Sequence, residues 1–555
     1  MASGQTGPMP FHLAGRNRTA RLLGLATLAA VTTMASAGVA WLVAAPTPTT
    51  ALRPVAARPA TCAGHRVEAP RELRGMWLTT VLNLDWPSRA GLDADTVRAE
   101  YRGWLDLAQR LNHNAIFVHV RPSGDALWPS AYAPWSEWLT GRRDGQDPGW
   151  DPLSYIVDEA HARNLELHAW FNPYRGSQPA PSGPGADLAR LAPDHPLRRH
   201  PEWAVTFPDT DARRLYFNPG IPQVRRFVED AILEAVTRYD IDGVHFDDFF
   251  YPYPVAGHEF DDAAAFATYG GGFPDRGDWR RDNVNTFIRE MSSRIKAVKP
   301  TVKFGISPFG IWRNVASDPA GSPTRGLQSY DAIYADTRKW IREEWLDYVV
   351  PQLYWHIGFD VADYARLVPW WVDVVAGTRV QLYIGQADYR VGQPGVWQDP
   401  GELDRQLALN RRYPVAGSVH FSARHLREDR LGAVTRYRDA HYPGPALVPR
   451  MRWKPAAPPA APTALTARRD PADTTILTWR PGPGAETTGF AVYRVDDPSA
   501  GGGAATLVAA VRRTGAGEQV WVDRTPARAG SPTYCVTGMD RLWNEGPPSA
   551  PAQPT

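Results

Sequence analysis

The stretch DGVHFDD, residues 242–248, joins a short apolar run to two adjacent carboxylates, and it is one of eight similar runs that decide the fold. Each run is rich in apolar residues and is separated from the next by a segment of helical character. The runs are LRGMWLT (73–79), AIFVHVR (115–121), LELHAWF (165–171), DGVHFDD (242–248), VKFGISP (302–308), YVVPQLYW (348–355), RVQLYIG (379–385) and GSVHFSA (417–423). Eight strand–helix units in succession predict a (β/α)8 barrel of the TIM type.

The segments between the runs have the periodicity that a barrel requires. In PQVRRFVEDAILEAVTRYD (222–240), apolar residues follow the i, i+3, i+4 spacing of one buried helix face. A doubly wound open sheet is the competing arrangement, but no glycine fingerprint for a nucleotide follows any of the runs. We therefore predict an α/β fold with a barrel over residues 71–443.

A second, smaller domain is expected after the barrel, because 555 residues exceed one ordinary core. A Pro- and Ala-rich segment (444–462) predicts a linker. Short alternating runs in residues 463–555, such as TILTWR and GFAVYRV, predict an all-β sandwich. Trp479, Tyr493, Tyr534 and the closing DRLWNEGPPS resemble a fibronectin type III module, which has an immunoglobulin-like fold. This module is expected to be a spacer, although Trp521 and Trp543 could also face a polysaccharide.

The N-terminus predicts export from the cytoplasm. Residues 1–50 have the features of a signal peptide or signal anchor, since three arginines precede an uncharged stretch from 22 to 45. That stretch is also long enough to span a bilayer, which takes roughly 20 residues, so membrane anchoring through 22–45 is the alternative to cleavage. Residues 51–70 are expected to be a linker. We predict a secreted or cell-envelope protein that works outside the cytoplasm.

The composition narrows the range of partners. A net charge of +2 does not provide the basic surface that binding to nucleic acid requires. The sequence does not indicate an oligomeric state. With 22 Trp, 21 Tyr and 18 Phe, aromatic residues are abundant enough to line a groove that stacks on sugar rings. The chain has only two cysteines, Cys62 and Cys535, which are far apart in sequence; we expect unpaired, buried thiols.

Polar side chains recur at the ends of the predicted strands, where a barrel carries its active site. Because side chains alternate along a strand, Asp247 shares a face with His245, and Asp248 follows where the strand begins to turn. The other strands repeat the pattern: His119 with Arg121, His168 with Trp170 and Asn172, Gln352 with Tyr354, and His420 with Ser422. Trp355 lies on the face opposite to Tyr354. The pattern on several strands therefore predicts one polar and aromatic opening at the carboxyl end of the barrel.

Adjacent acids at such a mouth favour cleavage of a glycosidic bond. One carboxyl group protonates the leaving oxygen, while another attacks or stabilises the oxocarbenium-like centre or activates water. Two like charges in proximity also raise one pKa, which keeps an acid protonated near neutrality. The alternative is that Asp247 and Asp248 only bind hydroxyl groups or cap the following helix.

A resemblance to a known family supports the same interpretation. The motifs RGMWLTT, WPS, PWSEWLTG, DPL, HAWFNPYR, FNPG, YDIDGVHFDDFFYP, SPFGIWRN and PQLYW occur in this order over residues 70–440. They resemble the glycosyl-hydrolase-like family that includes the divisome-localised glycosyl hydrolase, formerly an uncharacterised domain family. The resemblance implies an exported barrel enzyme that acts on glycan strands, for divisome-type members peptidoglycan stripped of its stem peptides. DGVHFD also resembles the fourth strand of the α-amylase family, whose nucleophilic Asp corresponds to Asp247.

The resemblance to α-amylases fails at the next strand. There the α-amylase family supplies a Glu as acid, whereas VKFGISPFGIW contains no carboxylate. The second acid is expected to be Asp248, with Asp388, Asp125 and Asp85 as the alternatives. Glu166 lies early in its strand, at the opposite end of the barrel, and is excluded.

Two other classes of protein remain as alternatives. The histidines His119, His168, His245 and His420 could hold zinc in a metal-dependent hydrolase, although no H-E-x-x-H helix is present. The aromatic mouth would equally suit a non-catalytic protein that binds polysaccharide in the envelope.

The preferred prediction is a glycoside hydrolase that needs no cofactor and no metal and acts on a cell-wall glycan, with Asp247 and Asp248 as catalytic residues. The predicted substrate-binding residues are His245, Asn172, Arg175, Arg121, His168, Gln352, Tyr354, Trp355, Trp77 and Asp388. Arg175 in NPYR is expected to meet a substrate carboxylate or hydroxyl groups.

Overall fold

The computed structural model describes residues 60–178, 186–209, 212–471, 474–484, 486–498, 503–515, 517–525 and 531–555. The strands are β1 Thr61–Cys62, β2 His65–Val67, β3 Leu73–Leu78, β4 Ala115–Arg121, β5 Glu166–Phe171, β6 Ala204–Asp209, β7 Ala212–Phe217, β8 Gly243–Phe246, β9 Lys303–Ile306, β10 Tyr348–Val349, β11 Gln381–Gln386, β12 Gly417–His420, β13 Thr463–Arg469, β14 Thr475–Arg480, β15 Gly489–Val495, β16 Ala504–Arg512, β17 Gln519–Asp523, β18 Thr533–Met539 and β19 Glu545–Pro548.

The α-helices lie mostly between the strands of the first 443 residues. They are α1 Ala94–Arg110, α2 Glu137–Thr140, α3 Pro152–Ala162, α4 Pro196–Arg199, α5 Pro222–Arg238, α6 Ala263–Tyr269, α7 Arg276–Val298, α8 Ser329–Ala332, α9 Thr337–Arg342, α10 Tyr364–Val375, α11 Glu402–Asn410, α12 Ala423–Glu428 and α13 Ala433–His441. The predicted amphipathic segment 222–240 forms α5. Its Val224, Val228, Ile232 and Val236 are buried against the barrel, as the periodicity required.

Eight parallel strands close into a barrel in the order β3-β4-β5-β8-β9-β10-β11-β12, and β12 pairs with β3 to complete it. Each strand lies within one of the eight apolar runs or extends one residue beyond it, so the predicted TIM-type fold is confirmed. Glycines allow bulky groups inside the barrel: a Cβ at Gly305 would lie 2.1 Å from the ring of Tyr348, and one at Gly243 would lie 2.4 Å from the His168 imidazole.

The connection from β5 to α5 carries a hairpin over the carboxyl end of the barrel. Strands β6 and β7 pair antiparallel, with Phe207 opposite Arg214. An isolated bridge between Arg175 and Tyr216 holds the chain that leaves β5 beside this hairpin. Such loops at the carboxyl face build the active sites of TIM barrels.

The C-terminal strands form two sheets, ordered β1-β2-β16-β15-β18-β19 and β13-β14-β17. This confirms an all-β module after the barrel. Residues 61–67, expected as part of a linker, instead form β1 and β2, and β2 pairs with β16 of the module. The exposed edge of β16 is thereby covered, which is a physical reason for strands at this point.

The expectation of two unpaired thiols is wrong. Cys62 and Cys535 form a disulfide bond, with their Cα atoms 5.8 Å apart. The bond links β1 to β18 across 473 positions of sequence. Sequence spacing could not reveal it, because the pairing of the two ends in one sheet brings the cysteines together.

The module closes the amino-terminal end of the barrel. Trp543, 6% exposed, donates through Nε1 to the Glu166 carboxylate at 2.7 Å. Lys303 forms a salt bridge with the same carboxylate. Arg541 donates to the Ile241 carbonyl at 2.8 Å and pairs with Asp240. Trp543 is therefore packed against the barrel and is not exposed to a polysaccharide, contrary to that alternative.

The predicted signal or anchor in residues 1–50, with its apolar stretch 22–45, lies outside the described residues. Within the described part of the chain, every helix is too short or too polar to cross a membrane.

Candidate active site

An open cavity of about 350 Å³ lies at the carboxyl end of the barrel. Residues at or just beyond the ends of five strands reach it: Thr79 after β3, Asn172 after β5, Asp247 after β8, Ser307 after β9 and Phe421 after β12. The other residues that line it are Trp77, Val81, Leu82, Leu84, His119, Trp170, Arg175, Gln178, Arg214, Asp248, Phe249, Tyr253, Gln352 and Tyr354. Seven of the twelve predicted site residues meet in this cavity: Trp77, Asn172, Arg175, Asp247, Asp248, Gln352 and Tyr354.

The Asp247 carboxylate is held in place by hydrogen bonds that it accepts from N–H donors. Its Oδ1 accepts the Phe249 backbone N–H at 3.1 Å. The Asn172 amide nitrogen faces both carboxylate oxygens, at 2.9 and 3.0 Å, because the reverse orientation would set oxygen against oxygen. The amide oxygen of Asn172 then accepts from Arg175 at 3.0 Å and from His119 at 3.3 Å. A chain of donors therefore orients the carboxylate.

Asp248 has its own donor, because the Tyr253 hydroxyl group donates to its Oδ2. Burial and the neighbouring Asp248 raise the pKa of Asp247 to about 8, against the attraction of Arg175. Burial also raises the pKa of Asp248, and the hydrogen bond from Tyr253 acts in the opposite direction. Two acids of this kind titrate as a pair, so near neutral pH the pair retains a proton that one member can donate while the other acts as a carboxylate.

Aromatic rings form the walls of the cavity. Trp170 stacks on His119 with ring centroids 3.9 Å apart, and Tyr354 lies 6.1 Å from Phe421 in near-parallel orientation. Trp77 meets Phe421 edge-on at 6.1 Å. Flat apolar faces around a polar floor suit the binding of sugar rings, which present C–H faces and hydroxyl edges.

A chain of buried hydrogen bonds runs from the cavity down the barrel axis. Trp77 Nε1 donates to His245 Nε2 at 3.2 Å, and the other nitrogen of His245 lies 3.2 Å from the Tyr348 hydroxyl. That hydroxyl is 2.8 Å from His168, whose second nitrogen is 3.0 Å from Glu166. Because burial lowers the pKa of His245 well below its ordinary value, its imidazole is neutral and holds Trp77 in place.

Five predicted substrate-binding residues lie away from the cavity surface. His245 and His168 belong to the axial chain, and both are fully buried. Arg121 is also fully buried, and it donates to the Asn172 carbonyl at 3.3 Å. Asp388 bonds His420 at 2.9 Å, and Trp355 packs edge-on against Phe309. None of these five lines the cavity. The side chains of His245, His168, Arg121 and Asp388 are buried, which favours a supporting position, whereas Trp355 is partly exposed; sugar contact by these residues stays a prediction.

The alternative second acids also have structural roles. Asp85 accepts from the Thr79 backbone at 2.8 Å and from the Ser422 hydroxyl at 2.7 Å. Asp125 is buried and accepts the Ser123 backbone N–H at 2.7 Å. Neither acid lines the cavity, whereas Asp248 does. Glu166 lies at the closed base of the barrel, 2.7 Å from Trp543, as its early strand position predicted.

The four histidines considered for a metal each have another partner. His119 stacks on Trp170, His168 and His245 bond the Tyr348 hydroxyl, and His420 bonds Asp388. Across the described residues, no group of three or more His, Cys, Asp or Glu side chains is arranged to hold a metal ion.

Several residues of the site were not predicted from the sequence. Tyr253 and Phe249 follow the paired acids directly, and the aromatic run FFYPY was the available signal. Phe421 lies within the eighth run, directly after the end of β12. Arg214 lies in the β6–β7 hairpin, and its approach to the cavity depends on a loop fold that no periodicity encodes.

Paired buried acids on the floor of an aromatic cavity, at the carboxyl end of a (β/α)8 barrel, define the class of the protein as a glycoside hydrolase. The comparison with known families agrees, since the model for Glycosyl hydrolase-like 10 matches residues 72–401. The chain belongs to this family and is a glycosidase.

Two curated relatives extend the similarity. Glycosyl hydrolase YngK of Bacillus subtilis is 45% identical over 487 residues, which cover 86% of this chain and 92% of that protein. Glycosyl hydrolase DigH of Escherichia coli K12 is 41% identical over 388 residues, which cover 67% of this chain and 87% of that protein. Among solved structures, the glycoside hydrolase domain of PgaB (BpsB) from Bordetella bronchiseptica matches with a TM-score of 0.43 and 15% identity, covering 67% of this chain and 98% of that domain. This last similarity is too distant to bear on activity.

Proposed function

We propose that this enzyme is exported and cleaves the glycan strands of the cell wall, with peptidoglycan stripped of its stem peptides as the substrate. The observation that carries the catalytic part is the pair Asp247 and Asp248 in the aromatic cavity. The motif resemblance to divisome-type glycosyl hydrolases supports the choice of glycan.

Asp247 and Asp248 act together in the proposed reaction. One member of the pair gives its proton to the oxygen of the leaving sugar, and the ionised member stabilises the oxocarbenium-like centre or activates water. Asn172 and Tyr253 orient the two carboxyl groups, each from its own side. Trp77, Trp170 and the other aromatic walls position the sugar rings.

Export has a second line of support besides the predicted signal. A disulfide bond joins Cys62 to Cys535, and such bonds persist mainly in oxidising, extracytoplasmic environments. The C-terminal module is proposed to be a fibronectin type III-like domain with a structural role. Its packing against the base of the barrel supports that role, because Trp543 and Arg541 bond barrel residues there.

The decisive experiment measures product release from purified, peptide-stripped glycan strands by the wild-type protein, Asp247→Asn and Asp248→Asn. Each variant is checked for folding by circular dichroism and by its melting temperature. We expect the wild type to release fragments and a folded Asp247→Asn to lose at least about a hundredfold in rate, since general acid–base groups contribute at least that much. Wild-type activity retained in Asp247→Asn would refute the assignment of this carboxylate.

The same assay separates the alternatives. A non-catalytic binding protein would retain the polymer without generating new reducing ends. A metal-dependent hydrolase would lose activity with a chelator and regain it when a divalent metal is returned. Fragments released in the presence of the chelator, and lost in Asp247→Asn, would support the carboxylate mechanism.

A further inference from the structure

The hydrogen-bonded chain along the barrel axis begins at the cavity with a group that can only donate. Trp77 donates its indole N–H to His245 Nε2, and an indole nitrogen does not accept. Because burial lowers the pKa of His245, its ring is neutral and carries one proton, which must lie on Nδ1. Nδ1 donates to the Tyr348 hydroxyl oxygen at 3.2 Å, so the hydroxyl proton goes to His168 Nδ1 at 2.8 Å. The proton of His168 consequently lies on Nε2.

The base of the barrel imposes the same order on the chain. Glu166 Oε2 lies 3.0 Å from His168 Nε2, while Oε1 accepts from Lys303 and from the indole N–H of Trp543. Burial opposes the ionisation of this acid, but the Lys303 ammonium prevails and lowers the pKa of Glu166, so its carboxylate only accepts. His168 Nε2 must therefore donate to it, which agrees with the order derived from Trp77.

The two imidazoles of the chain are clamped by packing. The ring of Phe117 stacks on His168 with centroids 4.4 Å apart and meets His245 edge-on at 4.9 Å. All three side chains are fully buried. Rings packed in this way are not free to turn over and exchange their nitrogens, so a change of order requires the protons themselves to move.

The cavity end of the chain depends on the position of one proton. His245 Nε2 also lies 3.1 Å from Ser307 Oγ, and both Trp77 and Ser307 line the cavity. Without a proton, Nε2 accepts from both of these residues. With a proton, it would donate to Ser307 and oppose the N–H of Trp77. The tautomer of His245 therefore decides whether Trp77 has a hydrogen-bond partner.

We propose that Glu166, through the chain above it, sets the tautomer of His245 and thereby positions Trp77 and Ser307 for the substrate sugar. Glu166 is then a positioning residue that acts from the closed base of the barrel. The order of the protons can be tested without any substrate, whereas its effect on substrate use rests on the proposed function.

The main test uses Glu166→Gln in the full-length protein, because this change keeps the shape of the side chain. Trp543 and Lys303 both donate to one oxygen, so they hold the amide oxygen there and turn the amide NH2 towards His168. His168 Nε2 must then accept, and every donor above it reverses. We expect the proton of His245 to move from Nδ1 to Nε2, three hydrogen bonds away from the substitution.

Tyr348→Phe is a second variant that leaves the charged base unchanged. It removes the acceptor of the His245 Nδ1 proton, which should therefore move to Nε2 and bond Ser307. Tyr383→Phe is the matched control. Tyr383 is buried beside Tyr348, with ring centroids 5.4 Å apart, but its hydroxyl donates to Gln381 and does not belong to the chain.

The tautomers are read from magic-angle-spinning NMR spectra of protein labelled with 13C,15N-histidine, in which His245→Gln identifies the signals of His245. We expect Nδ1–H in the wild type and in Tyr383→Phe, and Nε2–H in Glu166→Gln and Tyr348→Phe. A wild type with Nε2–H, or a folded Glu166→Gln that retains Nδ1–H, would overturn the proposal. If Glu166→Gln does not fold, retention of Nδ1–H in Tyr348→Phe overturns it instead.

The kinetic consequence is measured on peptide-stripped glycan strands. Loss of the Trp77 hydrogen bond should raise KM by about fivefold, the size of one such bond, and leave kcat within about twofold, because the chain does not include the paired acids. An unchanged KM in a variant with a switched tautomer would refute the role in positioning. If the wild type cleaves no glycan, the proposed function fails, and the chain is judged by the spectra and by an expected fivefold weaker equilibrium binding of the glycan.

Discussion

Replacing Asp247 with Asn should stabilise the protein at neutral pH while it abolishes activity. The pKa of Asp247 rises from its ordinary value of 3.8 to about 8 on folding. The folded state therefore binds the proton of Asp247 more tightly than the unfolded state does. The stability that protonated Asp247 contributes at low pH is lost as the pH rises from about 4 to about 8. Asn is neutral at every pH and avoids this loss.

The size of the pKa shift of Asp247 sets an upper limit on the stability that Asp247→Asn can gain. At pH 7 the unfolded carboxyl is ionised and the folded one is mostly protonated, a difference of about 4 kcal/mol in the free energy of unfolding. The variant gives up part of this gain, because one Asn172 contact with a carboxylate oxygen becomes a contact between two amide nitrogens, which costs about 1–2 kcal/mol. We expect a net gain of about 2 kcal/mol at pH 7 and a net loss of about 1 kcal/mol near pH 4, where the pKa shift contributes only about 0.6 kcal/mol.

Thermal and urea unfolding of the wild type and Asp247→Asn, measured from pH 4 to pH 8, give this difference directly. Asp95→Asn serves as the control, since it makes the same change in charge at a side chain that is 94% exposed. A variant less stable than the wild type at pH 7, or a difference in stability that is the same at pH 4 and pH 8, would refute the argument that burial of this acid is an uncompensated cost.

Three further changes test other parts of the structure. Tyr253→Phe removes the hydroxyl that donates to Asp248, so the pKa of that acid should rise further and the pH–rate profile should shift to higher pH; an unshifted profile would argue against the contact. Trp543→Phe removes a charge-assisted hydrogen bond to Glu166 and should cost about 1.5–3 kcal/mol of stability, measured by urea unfolding, whereas Trp521→Phe, in the other sheet, should cost less. Reduction of the disulfide bond should lower the stability of the folded protein by about 2–5 kcal/mol, seen as a lower melting temperature; an unchanged value would show that the sheet alone holds the two ends together.

Much of the fold could be predicted from the sequence, because each barrel strand is a separate apolar run with its own turn signals. The positions of Asp247 and Asn172 in the cavity follow from the same pattern, as both come just after a strand ends. His168 was placed wrongly at the mouth because alternation gives the face of a strand but not the depth along it. It is the third residue of β5, so it lies inside the barrel and bonds Tyr348.

The contributions of loops could not be predicted in this way. Arg214 reaches the cavity through a hairpin whose path depends on tertiary contacts rather than on periodicity. The same holds for Cys62 and Cys535, which meet only because β1 and β2 join a sheet made of strands from the far end of the chain. Local sequence patterns predict individual strands and helices, whereas the position of Arg214 and the disulfide bond depend on which strands pair in the folded protein.

Because β2 pairs with β16, the barrel is an insertion between two strands of the module's sheet. The chain enters the barrel at Arg71 and leaves it at Leu447, and these two residues form a parallel bridge, so entrance and exit lie side by side. A barrel with different specificity could therefore be exchanged at these two points, provided that it keeps the groups that Trp543 and Arg541 bond at its base. Conversely, a nascent chain cannot complete that sheet until its last strands have been synthesised, so a prematurely terminated chain leaves β1 and β2 without their partners.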